Sequence, residues 1–390
     1  MGEYTSIIES KTSNVDLSAD DFKSSLVDIV KAFRSADDAI DEFIIAHAYK
    51  GDINDTKMKT AFIKSKLKDA GISSRYLWYS GKTFDKTPAF ELCFAFSINI
   101  AESEELFQKI CLKRGFDCHS IKEAIYYYCI KNQLSYDKAR ELIELAPDEP
   151  ANGSVNFEAD VLFTQSIIEE LNRIDSDEGL IDFFNRNIDQ FGYNNATAKK
   201  IIKRIWDEIA SDDGIIAKEI AITMPEYKDE IKLNNTYNIL IAILGINKDN
   251  SLLKDSDRSI KVILKDNPLL HKSAEKEFPD RLSIEKILDG KMVDDEKIRK
   301  VMILLLFYRY WAKRIIESGK GQFFADYTDA ERCTDDINKF LDEAGYPALY
   351  MGNPYDWIFM FVTYDESPLD AFRYFINELA IYKEDYFNNL

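Results

Sequence analysis

The chain has 390 residues, 46% of them hydrophobic and 31% charged, and its formal net charge is −19. That length gives room for two or three domains with their own cores. The charge density excludes a membrane protein, since no run approaches the ~18 apolar residues of a spanning helix. The first residues lack the basic-then-apolar pattern of a secretory signal, so a cytoplasmic protein with no membrane partner is expected.

Apolar residues recur at spacings of three and four almost throughout, and only 9 prolines and 15 glycines interrupt them. An all-α, multi-helical fold is therefore predicted. Residues 18–48 hold two short amphipathic helices, "SADDFKSSLVDIVKAFRS" and "DDAIDEFIIAHAYK", within an N-terminal region 1–56. A helical module is expected over 57–146. The stretch "APDEPANGSV" (146–155) is the clearest linker, rich in helix breakers and small polar residues. A middle helical domain follows over 156–275, with "QSIIEELNRI" and "ATAKKIIKRIWDEIA" as its plainest helices, and a last module covers 276–390.

Five cysteines, Cys93, Cys111, Cys118, Cys129 and Cys333, are scattered through helical patterns in an odd number. That usage fits reduced, buried thiols rather than a disulfide framework. Cys111, Cys118, His119 and Cys129 follow no paired-ligand spacing, so no metal is expected. None of His47, His119 and His271 has a nucleophile or paired carboxylate at a spacing that builds a catalytic site, and "SGKGQ" (318–322) lacks the pattern of a phosphate-binding loop. No enzyme and no cofactor is expected. The segment "NPYDW" (353–357) reads as a compact aromatic turn that fixes the helix after it.

Two windows of the chain match one another. In "SGKTFDKTPAFELCFAFS" (80–97) and "DGKMVDDEKIRKVMILLL" (289–306), a Gly-Lys pair precedes an acid four residues after the glycine, Asp85 or Asp294. Apolar residues then fall in the same register: Ala89, Leu92, Cys93 and Phe96 in one, Ile298, Val301, Met302 and Leu305 in the other. That is one helical face entered from the same kind of turn. Downstream, "LFQKICLKRGF" (106–116) parallels "INKFLDEAGY" (337–346), and "LSYDKARELI" (134–143) parallels "SPLDAFRYFI" (367–376). Ser367, Pro368 and Asp370 make a good helix start. The second window carries an insertion around "SGKGQFFADYTDAERC" (318–333). An internal duplication is the expected origin.

The stretch 57–110 contains "FIKSKLKDAGIS" as a helix and turn, then "SRYLWYSGK" as a second helix closed by Gly-Lys. "TPAFELCFAFSI" and "AESEELFQKI" supply a core helix and a last helix. Gly71 suits a left-handed helix end, and Ser73 or Ser74 suits the next cap. This stretch resembles the helix-turn-helix of Cro/lambda-repressor-like (XRE-type) regulators. The resemblance implies a transcription regulator whose partner is double-stranded DNA, commonly read by a homodimer. It assigns Ser73, Ser74 and Arg75 to base edges, Arg75 by bidentate pairing with guanine. Phosphate contacts fall to Lys64, Lys66, Lys68, Tyr79, Lys82 and Lys86, while Leu77 and Trp78 face the core. Gly71 and Gly81 stand closer together than in most such motifs, so the recognition helix is expected to be short.

Local charge agrees with that assignment. Residues 57–88 hold eight basic groups, Lys57 and Lys59 among them, and only two acids, a net +6 inside the acidic chain. Lysines that neutralise phosphates release counterions. The equivalent window 266–297 nets −3, so the copy near 276–306 is expected to keep the fold and lose the phosphate-binding face. The alternative reading is a helical protein-interaction scaffold, for example an accessory protein of a defence or mobile-element system, that binds a protein partner and no DNA. Its support is the net negative charge and the aromatic richness.

Overall fold

Sixteen helices and no strand make up the regular structure of the described residues, as the periodicity predicts. The computed structural model describes residues 35–80, 86–111, 113–150, 164–193, 195–225, 233, 235–245, 279–320 and 323–381, with positions 8, 10–12, 25, 28 and 29. Lys82, Gly81 and Asp85, much of the linker, and 246–278 with His271 lie outside them. The chain divides into two units. An N-proximal unit comprises Arg34–Thr197 and Asp342–Pro347, and a composite unit comprises Met1–Phe33, Ala198–Leu341 and Ala348–Leu390. The N-proximal unit thus takes in helices on both sides of residues 146–155.

In the N-proximal unit, α1 (Ala36–Ala46) starts from a capping box. Ser35 Oγ accepts from the Asp38 N–H, and the Asp38 carboxylate accepts from the Ser35 N–H. Asp55 caps α2 (Thr56–Asp69) by accepting from the Lys57 and Met58 N–H groups. Lys59, Ile63 and Leu67, four residues apart, form its buried face. The helix ends where Gly71 takes φ +74 and the Ile72 N–H donates to the Leu67 carbonyl. Then follow α3 (Lys86–Ala95), α4 (Ile100–Glu105, continued by a π turn over Leu106–Ile110) and α5 (Ile121–Lys131). Every residue from Ala124 to Ile130 of α5 is buried, so this helix is the centre of the unit. Its Tyr126 joins Phe90, Phe107 and Phe116 in a cluster of edge-on or tilted rings with neighbouring centroids 4.8–5.6 Å apart. The last helices of the unit are α6 (Tyr136–Leu145), α7 (Thr164–Arg173) and α8 (Asp177–Arg186).

The composite unit holds most of α9 (Ala196–Ala210), then α10 (Ile215–Thr223), α11 (Thr236–Leu244) and α12 (Arg281–Leu288). Its core helix is α13 (Asp295–Ser318), buried almost continuously from Ile298 to Tyr308. After it come α14 (Tyr327–Glu343), α15 (Pro354–Thr363) and α16 (Pro368–Ile381). Arg299 of α13 forks onto Asp356 of α15 at 2.6 and 2.7 Å. Glu219 of α10 accepts from Tyr308 at 2.5 Å and from Arg373 at 2.6 and 3.1 Å. These buried carboxylates are tolerable because each is matched by an arginine and by further donors. The "NPYDW" segment does what its composition predicts: Asn353 caps α15 and Pro354 opens it.

The two matched windows bury the same face. Ala89, Leu92 and Cys93 are enclosed in α3, and Ile298, Val301, Met302 and Leu305 in α13, while Phe96 lies half-buried just past the end of α3. What precedes each face differs. Ahead of Gly290, α12 is a capped helix; ahead of residue 81, residues 72–80 are not helical.

Candidate nucleic-acid interface

Residues 72–80, expected as a recognition helix, run as irregular chain. Their burial alternates: Ile72 and Trp78 are enclosed, Ser74 and Tyr76 half-buried, and Ser73, Arg75 and Leu77 exposed. That period of two is the pattern of an extended segment laid on a core, not of a helix. Serine, β-branched and aromatic residues dominate the stretch, and all are weak helix formers. The Tyr76 and Trp78 rings pack 4.9 Å apart, and the Ser74 hydroxyl accepts from the Tyr76 N–H at 3.3 Å. Leu77, expected in the core, is 74% exposed, whereas Trp78 is 1% exposed. Ser73, Ser74 and Arg75 therefore do not stand on a helix that can enter a groove.

Three basic side chains of the +6 window are used inside the unit. Lys59 pairs with Asp41 of α1 at 2.7 Å and lies 4.4 Å from the Tyr79 ring centre. Tyr79 is half-buried there; burial, and then the Asp41 carboxylate, raise its hydroxyl well above the ordinary value. Lys86 donates to Glu123 of α5 at 2.5 Å and to the Gly115 carbonyl at 2.8 Å. Asp117 donates its N–H to the same Glu123 oxygen and pairs with the enclosed Arg114 at 2.7 Å. Lys86 belongs to this inner charge network rather than to a phosphate contact, and Tyr79 to the packing of Lys59. Lys66 lies half-buried, 5.8 and 5.9 Å from the Phe62 and Phe96 ring centres.

What remains forms a stripe. Lys57, Lys64 and Lys68 are exposed, and none makes an ion pair with the described residues. Their spacings of seven and four place them within about 40° of one another around α2 and along about 16 Å of its length. Their face is centred about 120° around α2 from the buried Lys59–Ile63–Leu67 face. Lys57 was not among the residues assigned by the helix-turn-helix resemblance, and the signal that finds it is this spacing. Arg75 is exposed in the segment that follows α2.

All five cysteines are buried. Burial pushes the Cys93 and Cys129 thiols up to about 12 and raises the other three as well, which leaves no thiolate nucleophile near neutral pH. His119 is enclosed, with Nδ1 2.9 Å from the Gln190 carbonyl oxygen. Among the described residues no group of three or more His, Cys, Asp or Glu side chains could hold a metal ion. None of the described helices is long and apolar enough to cross a membrane. Compared with known proteins, the chain matches no family model, no curated protein and no solved structure.

Proposed function

We propose that the protein binds double-stranded DNA through its phosphate backbone, with the lysine stripe of α2 as the contact surface and without reading bases through a recognition helix. The observation that carries this reading is the alignment of Lys57, Lys64 and Lys68 on one exposed face, unpaired by acids of an otherwise acidic chain. Lys64 and Lys68, like charges four residues apart on α2, cost the helix a few tenths of a kcal/mol, and the three unpaired cations create a local site for a polyanion. Arg75, exposed beyond the end of α2, adds a fourth charge of the same sign. Contacts of this kind position a protein on a duplex but carry no sequence information.

The test is a salt series with a mixed-sequence duplex. Three neutralised phosphates give a slope of log affinity against log salt of about −2.7, a loss of roughly 40-fold between 50 and 200 mM. Each single Lys→Gln change on the stripe lowers that slope by about 1. The reading fails if binding is absent at 50 mM salt, or if the Lys57→Gln/Lys64→Gln/Lys68→Gln variant binds as tightly as the parent. The scaffold reading gains support from one specific observation, an exposed aromatic patch on the composite unit.

A further inference from the structure

Large aromatic side chains seldom stand in water in a group, yet the composite unit displays three at the start of α14 and just after α15. Phe324, Tyr327 and Tyr364 are 68%, 66% and 55% exposed. The Tyr327 and Tyr364 rings face each other with centroids 5.8 Å apart. The Ala325 N–H donates to the Glu366 carbonyl at 2.8 Å, so the start of α14 and the chain between α15 and α16 run side by side. Phe324 and Tyr327 belong to the inserted stretch 318–333, which has no counterpart in the first window.

The charge around the rings is mostly negative. Asp326, Glu331, Asp365 and Glu366 lie on residues 324–332 and 364–367, where Arg332 is the one basic residue. Asp329 is the one acid there already matched, by Arg314.

We propose that this patch docks an arginine-rich peptide segment of a partner protein. Guanidinium groups stack on aromatic faces and are weakly hydrated, so they pair with rings at little desolvation cost. The surrounding carboxylates accept their N–H forks. A neutral apolar partner would strip water from those carboxylates with nothing in return, and a nucleic acid would meet like charge. The surface lies on a different unit from the lysine stripe and has the opposite sign, so this inference stands independently of DNA binding.

The experiment uses the full chain and a fluorescein-labelled (Arg-Gly)6 peptide in 150 mM salt, read by anisotropy, with (Lys-Gly)6 as the comparison. The Arg peptide is expected to bind more tightly than the Lys peptide. The Phe324→Ala/Tyr327→Ala/Tyr364→Ala variant, unchanged in net charge, is expected to lose at least tenfold in affinity. Tyr327→Phe/Tyr364→Phe keeps the rings and is expected to bind as the parent does. Glu331→Gln/Glu366→Gln, at exposed positions, supplies a second weakened variant. Equal binding by parent and triple-alanine variant would overturn the proposal, since the attraction would then come from the net charge of the whole surface. Sedimentation showing a peptide-free dimer that the triple-alanine variant dissolves would overturn it too, because a second copy would then be the occupant.

Discussion

Residues 72–95 and 281–306 share a turn signature and an apolar register, yet only the second is entered through a helix. In the composite unit, Asp280 caps α12 by accepting from the Ser283 N–H, and Ser283, Ile284 and Ile287 bury one face. Gly290 then takes φ +72, and the Lys291 N–H closes the end on the Lys286 carbonyl at 2.8 Å. In the N-proximal unit the same distance of chain is held by Ile72 and Trp78, six apart, with half-buried positions at every second residue between them. A Gly-Lys turn and a matching downstream face do not make a helix-turn-helix. The element before the turn needs its own cap and its own period of 3.6, and the segment that carries the basic charge has neither.

The sharpest way to break that contrast is to treat the neighbours Leu77 and Trp78 as a pair. Trp78→Ala removes an enclosed indole and is expected to cost about 3–5 kcal/mol in urea unfolding, while Leu77→Ala is expected to change stability by less than about 0.5 kcal/mol. A recognition helix with both residues on its core side would give two large losses. Comparable effects of the two substitutions would contradict the extended arrangement.

Much of the architecture is legible in the spacing of residues. The three-and-four spacing gave the helical class, Asn353-Pro354 gave a helix start, and the odd, scattered cysteines gave buried thiols. Residues 72–80 depart from the predicted helix for a physical reason. The positions Ile72, Tyr76 and Trp78 satisfy a period of four loosely and a period of two strictly, and a glycine and a serine pair suggested a cap that no helix uses. The fate of the lysines was beyond local reading. Lys59 and Lys86 look like any solvated lysine, and only the fold brings Asp41 and Glu123, 18 and 37 residues away, against them. The stripe of Lys57, Lys64 and Lys68, by contrast, was fully present in the spacing.

A smaller effect is expected from the cap of the better-formed window. Asp280→Ala deletes the hydrogen bond to the Ser283 N–H and the contact with Lys297 at 3.2 Å, and should destabilise by about 1–2 kcal/mol. The loss should depend on pH. Burial alone would raise the Asp280 carboxyl, but the Ser283 N–H and Lys297 outweigh it and hold its pKa below the ordinary value. A lowered folded-state pKa gives stability that is complete above the unfolded value of about 3.9 and is lost as pH falls through the folded one. Unfolding free energies of parent and Asp280→Asn should therefore differ at pH 6 and converge as pH falls from about 3.9 through the lower folded-state pKa. A gap that persists into that acid range would show that the carboxylate charge contributes nothing to the start of α12.

The smallest expected effect concerns Arg75, and it separates the two windows by what they can do rather than by how they fold. On a recognition helix, this guanidinium would pair with guanine, and Arg75→Ala would cost about 1–3 kcal/mol at that base position and relax discrimination there. In an extended segment beyond the end of α2, its charge adds only to the field of the lysine stripe. Arg75→Ala is then expected to weaken binding about threefold on every duplex, with the rank order of sequences unchanged and the salt slope reduced by no more than about 1. Competition binding across a randomised duplex pool measures both quantities at once. A flattened sequence preference in the variant would restore base reading to this segment despite its missing helix, whereas a uniform decrease confines its role to charge.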